Sequence, residues 1–186
     1  MRRVVDIAVS VGAMVVLAPV LILIAASIKL TSAGPVLYWS NRVGQRNAIF
    51  RMPKFRTMKV DTPTVATHLL SQPERYLTRV GGFLRRYSLD ELPQLFSILK
   101  GDITLIGPRP ALDSQRDLIA LRTENGIHHL VPGLTGWAQV NGRDTLSNER
   151  KVEFDGHYLR HRTALLDLKI IFLTLLKVIR GDGVTH

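Results

Sequence analysis

Ile7-Ala8-Val9-Ser10-Val11-Gly12-Ala13-Met14-Val15-Val16-Leu17-Ala18-Pro19-Val20-Leu21-Ile22-Leu23-Ile24-Ala25-Ala26-Ser27-Ile28 contains no charged residue. Arg2, Arg3 and Asp6 precede the run and Lys29 follows it. A stretch of this length can cross a bilayer as a helix. Three arrangements compete. A cleaved signal peptide fits poorly, because the run is long and Ala25-Ala26-Ser27 is a weak cleavage site. A straight span is the second. The third is a helix that enters the membrane and returns. Pro19 removes a backbone hydrogen bond near the middle and crowds the preceding turn, and Gly12 weakens the N-terminal half. Arg2 and Arg3 on one flank and Lys29, Arg42 and Arg46 on the other favour the cytoplasmic side for both ends. One straight span cannot satisfy that, whereas a re-entrant helix bent at Pro19 can. On these residues alone, span and re-entrant helix both stay open.

The chain of 186 residues suits one compact domain. Its net charge of +10 suits a polyanionic partner: nucleic acid, an anionic membrane or phosphorylated small molecules. The absence of cysteine excludes a disulfide framework and thiolate metal sites. The six histidines are read as structural or surface residues, with no transition-metal site expected.

Beyond Lys29 the pattern changes. Val36-Leu37-Tyr38-Trp39 reads as a strand and Gly44-Gln45-Arg46-Asn47 as a turn. Ile49 to Met58, carrying Pro53, Lys54 and Arg56, reads as an edge strand. Asp61 to Pro73 reads as a loop. Gln94 to Lys100 reads as a helix closed by Gly101, and Ala111 to Glu124 as a surface helix closed by Asn125-Gly126. Val131 to Arg143, rich in Gly and Pro, reads as a structured loop, and Ser147 to Arg160 as a helix. Leu165 to Arg180 is apolar but interrupted by Asp167, Lys169, Thr174 and Lys177. It suits a helix at a membrane interface or one packed in a core.

Ser88-Leu89-Asp90-Glu91-Leu92-Pro93-Gln94 carries the chemistry. Ser88 and Glu91 match a capping box, but Pro93 would then stand where a donor amide is wanted, and a helix start near Asp90 is the alternative; either way the pair of carboxylates is expected at a helix N-terminus, whose dipole favours their ionised forms. Alone, such a pair is a helix cap. Its company argues for more: Arg79, Arg85 and Arg86 upstream, Lys54-Phe55-Arg56, the stiff Gly107-Pro108-Arg109-Pro110 loop and the Asn141-Gly142-Arg143 turn. Arginine matches phosphate with paired donors. Cations in rigid loops beside two carboxylates and a membrane segment suggest a polyphosphate site. Magnesium fits such a site, since it binds through one or two carboxylates plus substrate phosphates.

These motifs resemble the bacterial sugar transferases, the monotopic phosphoglycosyl transferases that act on polyprenol phosphate. The resemblance covers nearly the whole chain. It rests on the apolar run with Pro19, Lys54-Phe55-Arg56-Thr57-Met58, Ser88 to Gln94, Leu99-Lys100-Gly101-Asp102, Ile106-Gly107-Pro108-Arg109-Pro110, Pro132 to Arg143, and Asp167-Leu168-Lys169. One departure is Ala18 before Pro19, where the family often has serine. The resemblance implies an α+β fold: a mostly helical small domain with a short β-hairpin, a re-entrant membrane helix over 1–30 broken at Pro19, and interfacial amphipathic helices. It further implies that residues 31–186 make one integrated catalytic domain on the cytoplasmic face of the bacterial inner membrane, and that the chain is the minimal catalytic form, without the extra N-terminal spans of larger relatives. The implied reaction moves a phosphosugar from a UDP-sugar donor to polyprenyl phosphate and releases UMP. It would run through a covalent intermediate on Asp90, as a first membrane step of glycoconjugate synthesis. The implied catalytic residues are Asp90 and Glu91, which would also hold Mg2+. Arg109 and Arg143 are the implied phosphate binders, with Arg86, Lys54, Arg56 and Asp155 as further candidates. The expected partners are the two substrates and membrane lipid, with no nucleic acid; the sugar and the oligomeric state are left open.

Overall fold

The computed structural model describes residues 2–63, 72–142 and 145–180. It has the expected class, helical with two small two-stranded sheets. Helix α1 spans Arg2–Thr31 and stays helical through Pro19, without the break expected there, since one lost backbone hydrogen bond does not end a helix of thirty residues. Among the described residues it is the one helix long and apolar enough to cross a membrane.

What decides the placement of α1 is where it touches the rest of the chain. Near its start, Arg3 donates to the carbonyls of Ile98 and Leu99. Asp6 accepts from the Thr104 hydroxyl at 2.6 Å and the Leu105 amide at 3.2 Å. Ala13 and Met14 pack on Leu95, Ile98 and Ile103. Near its end, Ile24 and Ile28 are buried against Phe55 and Leu84. Positions 6, 10, 13, 14, 21, 24 and 28 recur at helical spacing, so one stripe of the helix seats on the domain. Val15, Val16, Ile22 and Leu23 face outward. A helix of thirty residues is about 45 Å long if straight. Standing upright from the domain, it would touch the domain at one end only. Here both halves touch.

Strands β1 (Leu37–Val43) and β2 (Ile49–Phe55) form an antiparallel hairpin, with Val43 opposite Ile49 and Leu37 opposite Phe55. The turn falls where Gly44 to Asn47 predicts it. Arg46 and Asn47 there occupy the left-handed region, at φ 54° and 61°. Pro53 sits opposite Trp39 without ending the strand, because a two-stranded hairpin asks β2 for hydrogen bonds on one side only.

Helix α2 is Gly81–Arg86, and α3 is Gln94–Lys100, ended as expected by Gly101 at φ 99°. Helix α4 is Arg116–Glu124 and starts later than predicted. Residues before it serve the hairpin instead: Ala111 accepts from the Val43 amide at 2.9 Å, and the Gln115 side chain takes up the Leu112 amide. The predicted loop over 131–143 is partly ordered as β4 (Gly133–Thr135) and α5 (Trp137–Val140). Strand β4 pairs in parallel with β3 (Thr104–Ile106), a pairing the sequence reading did not contain. Helix α6 is Asn148–Arg160, capped by the Ser147 hydroxyl on the Arg150 amide.

Helix α7 is Ala164–Arg180. One face of it packs in the core, as one of the two alternatives for this segment has it, and the other face is apolar and exposed. Ile170 is fully buried beside Leu130, Val140 and Tyr158, while Leu165, Leu168, Phe172, Leu175 and Ile179 stand exposed. Tyr158 bonds Asp167 of α7 at 2.8 Å, and Asp167 pairs with Arg2 of α1 at 3.1 Å. The two helices with exposed apolar faces are thereby tied to each other.

Candidate active site

Asp90 and Glu91 lie in a single 3-10 turn, Leu89–Glu91, between α2 and α3. The predicted capping box does not form. Ser88 takes the left-handed region at φ 53° and makes no side-chain cap, and Pro93 occupies the cap position of α3. That left-handed step costs backbone strain for a serine. It turns both carboxylates inward, leaving Asp90 7% and Glu91 8% exposed.

Cations from distant parts of the chain meet them. Lys54, near the end of β2, donates to Glu91 Oε1 at 2.9 Å and lies 3.9 Å from Asp90 Oδ2. Arg109 grips Glu91 with both terminal nitrogens, Nη2 at 2.5 Å and Nη1 at 3.3 Å. The structure therefore brings Asp90, Glu91, Lys54 and Arg109 together. The two carboxylates differ in one decisive respect. Among the described residues, Glu91 is clamped by two cations, whereas none donates a hydrogen bond to Asp90.

The electrostatics correct one expectation. Burial pushes the Asp90 carboxyl above its ordinary value; Lys54 opposes this and Glu91 adds to it. Desolvation therefore outweighs any help from the following helix. Burial likewise pulls the Lys54 ammonium down, against Glu91. The charge of Lys54, Arg85 and Arg109 lowers the Asp90 value without offsetting its burial.

The donor set suits magnesium: hard carboxylate oxygens, with Asp90 accepting no hydrogen bond from a described residue and phosphates able to supply the other ligands. Glu91 could take part only by sharing oxygens already given to Lys54 and Arg109. Among the described residues there is no cluster of three acidic, histidine or cysteine side chains. His157 of α6 and His161, just past the end of that helix, stack ring on ring at 4.4 Å.

A family model described as "Bacterial sugar transferase" matches residues 1–181. The chain belongs to the bacterial sugar transferase family. It is 42% identical over 187 residues to the "Undecaprenyl-phosphate glucose phosphotransferase" of Komagataeibacter xylinus, covering 94% of this chain and 35% of that protein. It is 38% identical to the "Uncharacterized sugar transferase EpsL" of Bacillus subtilis, covering 99% of this chain and 90% of the relative. It is 36% identical to the "UDP-N-acetylgalactosamine-undecaprenyl-phosphate N-acetylgalactosaminephosphotransferase" of Aeromonas hydrophila, covering 98% of this chain and 44% of the relative. The chain thus spans well under half the length of the first and third of these.

In this bacterial sugar transferase three of the remaining candidates, Arg86, Asp155 and Arg56, lie elsewhere. Arg85, not Arg86, is the arginine of α2 whose charge reaches Asp90; its Nε donates to the Thr57 hydroxyl at 2.9 Å. Arg86 lies over the Tyr87 ring and lines a separate cleft with Glu74 and Phe83. The usable signal was helical phase: Gly81 and Leu84 are the buried positions of α2, and Arg85 lies four residues after Gly81. Asp155 does not face the carboxylates; it is buried and paired with Arg122 at 2.6 Å. Arg143 lies outside the described residues.

Arg56 also leaves the site. It is buried and donates to the carbonyls of Pro35 and Ser32 and to the Ser32 hydroxyl, at the C-terminal end of α1. A cation there meets the negative end of the helix dipole. Arg56→Met is expected to lower stability by about 1–3 kcal/mol by leaving those acceptors unmet. The protein that stays folded should keep its KM for donor. Urea unfolding and steady-state kinetics check this, and a raised KM with unchanged stability would return Arg56 to the phosphate site.

Proposed function

We propose that this chain transfers a phosphosugar from a UDP-sugar to a polyprenyl phosphate, releasing UMP, with Asp90 as covalent nucleophile. One observation carries the reading: a buried carboxylate accepting no hydrogen bond from any described residue, ringed by Lys54, Arg85 and Arg109, in a domain fastened to both halves of an apolar helix. The names of two of the relatives above, one specifying glucose and the other N-acetylgalactosamine, support the reaction class. Because those names differ in their sugar, the donor here is left to experiment.

In the first step an Asp90 oxygen attacks the β-phosphorus of the donor. The bond from that phosphorus to the bridging oxygen breaks and UMP leaves with the electron pair. In the second step an oxygen of the lipid phosphate attacks the same phosphorus and expels the Asp90 carboxylate. The product is a polyprenyl diphosphosugar, and the enzyme is regenerated. Two displacements through a carboxylate are ordinary nucleophilic catalysis. Asp90 suits the role because no described donor has to be stripped from it before it attacks. Arg85 and Lys54 lie where charge on the transferred phosphoryl group would be met, and Arg109 holds Glu91 beside it. Asp90 and Glu91, with the substrate phosphates, would hold magnesium, which would supply further positive charge to the donor's diphosphate as UMP departs.

The acceptor's phosphate sits at the bilayer surface while its tail lies in lipid. We assign α1 as a re-entrant, monotopic anchor with both ends on the cytoplasmic face of the bacterial inner membrane, and the exposed face of α7 as an interfacial seat. The contacts of Asp6 and Ile28 with one domain support this. The chain has no cysteine, which permits a direct test. Single cysteines at the exposed positions Val4 and Leu30 should both react with a membrane-impermeant maleimide in inverted vesicles and in neither case in intact spheroplasts. One label on each side would mean a straight span.

The activity itself is tested by UMP release from a panel of UDP-sugars with magnesium and undecaprenyl phosphate. Release that depends on both substrates and on magnesium supports the reading. No release by folded protein across the panel overturns it.

A further inference from the structure

Arg109 reaches Glu91 from a loop that can scarcely hold itself. Pro108 and Pro110 have no amide hydrogen, so Gly107 to Pro110 must be fixed largely through its carbonyl oxygens. Each of the three that follow Gly107 is bonded. Pro108 accepts from the Gly133 amide at 2.9 Å. Pro110 accepts from Arg42 Nη1 at 3.2 Å. Arg109, between them, accepts from Arg122 Nη1 at 2.8 Å. The Gly107 amide itself donates to Thr135 at 2.8 Å.

The Arg122 contact is the one built with most care. Its other two donors, Nε at 3.0 Å and Nη2 at 2.6 Å, both go to Asp155 Oδ2. The Asp155 side chain is 1% exposed and that of Arg122 11%. A guanidinium is planar, so two bonds to one carboxylate fix the direction of the third. That third bond lands on the backbone of the residue whose side chain clamps Glu91.

We propose that Arg122, oriented by Asp155, is a positioning residue that sets where Arg109 presents its guanidinium to Glu91. It touches neither carboxylate of the dyad and acts only through the Arg109 backbone. Lysine at 122 would keep the charge but could not hold Asp155 twice while also reaching Arg109. The kinetic half of this inference rests on the transferase reading; the structural half does not.

The test is a double-mutant cycle in full-length protein. Arg122→Lys is expected to lower kcat for UMP release by about 10- to 100-fold, the scale of a small misplacement in an active site. In an Arg109→Lys background the same change should cost no more than about twofold, the ordinary error of additivity. Val152→Ala loosens the same α4–α6 contact without touching Arg109, and at matched loss of Tm it should leave kcat near native. A purely structural Arg122 would instead give additive losses in the cycle and a kcat no lower than that of Val152→Ala, and either result overturns the proposal. If Arg122→Lys does not fold, Asp155→Asn takes its place in the cycle. If native protein releases no UMP, the transferase reading has failed, and a second cycle decides this inference alone. Tm losses of Arg122→Lys and Glu91→Gln should then be less than additive in the double variant, and additive losses would overturn it.

Discussion

Asp90→Asn is expected to lower UMP release by about 10⁴-fold or more, the scale on which enzymes lose turnover when a covalent nucleophile is removed. It should do so without unfolding the protein. The amide has the size and shape of the carboxyl, and no described residue donates a hydrogen bond that the exchange would break. The sign of the stability effect follows from the direction of the pKa shift. Burial raises the folded-state value of Asp90, which means the fold disfavours its ionised form. At neutral pH that penalty is present, and a neutral side chain removes it, against a weak loss of attraction to Lys54 at 3.9 Å. The Tm should therefore hold or rise while turnover vanishes, the pattern of a site that gives up stability for function. Two measurements, UMP release and thermal unfolding, read both halves. Mass spectrometry of native protein mixed with donor alone should show a phosphosugar on the peptide carrying Asp90. Turnover retained by Asp90→Asn would remove Asp90 as nucleophile.

Much of this arrangement is legible in the chain, and the misses have physical causes. The apolar helix, the hairpin turn at Gly44, the end of α3 at Gly101 and the cap of α6 at Ser147 all follow from local chemistry, which nearby residues decide. The β3–β4 pair does not. Its strands are three residues each, too short for alternation to register. What permits the pairing is close backbone approach: a side chain at Gly107, Gly133 or Gly136 would collide with facing main-chain atoms. Glycines that serve packing look, in sequence, like glycines that serve a loop.

The site divides in the same way. Asp90, Glu91, Lys54 and Arg109 are recognisable from residue type and from rigid loops. Arg56 misleads because residues two apart share a face only while the strand continues, and β2 ends at Phe55. Arg86 misleads because adjacent residues on a helix point about 100° apart, and α2 turns its neighbour Arg85 inward. Arg122 carries no local mark at all. Its meaning lies in a carbonyl thirteen residues away and a carboxylate on another helix.

Glu91→Gln should behave unlike its neighbour, losing stability and turnover together. Glu91 is the shared anion of Lys54 and Arg109, with side chains 11%, 17% and 22% exposed in that order. Glutamine keeps the shape but removes the charge, leaving two cations facing each other in a largely buried place. Breaking one partner out of a buried ion pair costs roughly 3–5 kcal/mol. The partial exposure here places the expected loss near the lower end, about 3 kcal/mol. Turnover should fall by about 100-fold or more, because Arg109 and Lys54 lose the group that fixes them beside the reacting phosphorus. Urea unfolding of Asp90→Asn and Glu91→Gln side by side is the discriminating measurement. The first should unfold at native concentrations of urea or higher, the second clearly lower. If Glu91→Gln unfolds with the native protein, the two-cation clamp contributes nothing to the fold. Glu91 would then act on the substrate side alone, and the division of labour between adjacent carboxylates would have to be redrawn.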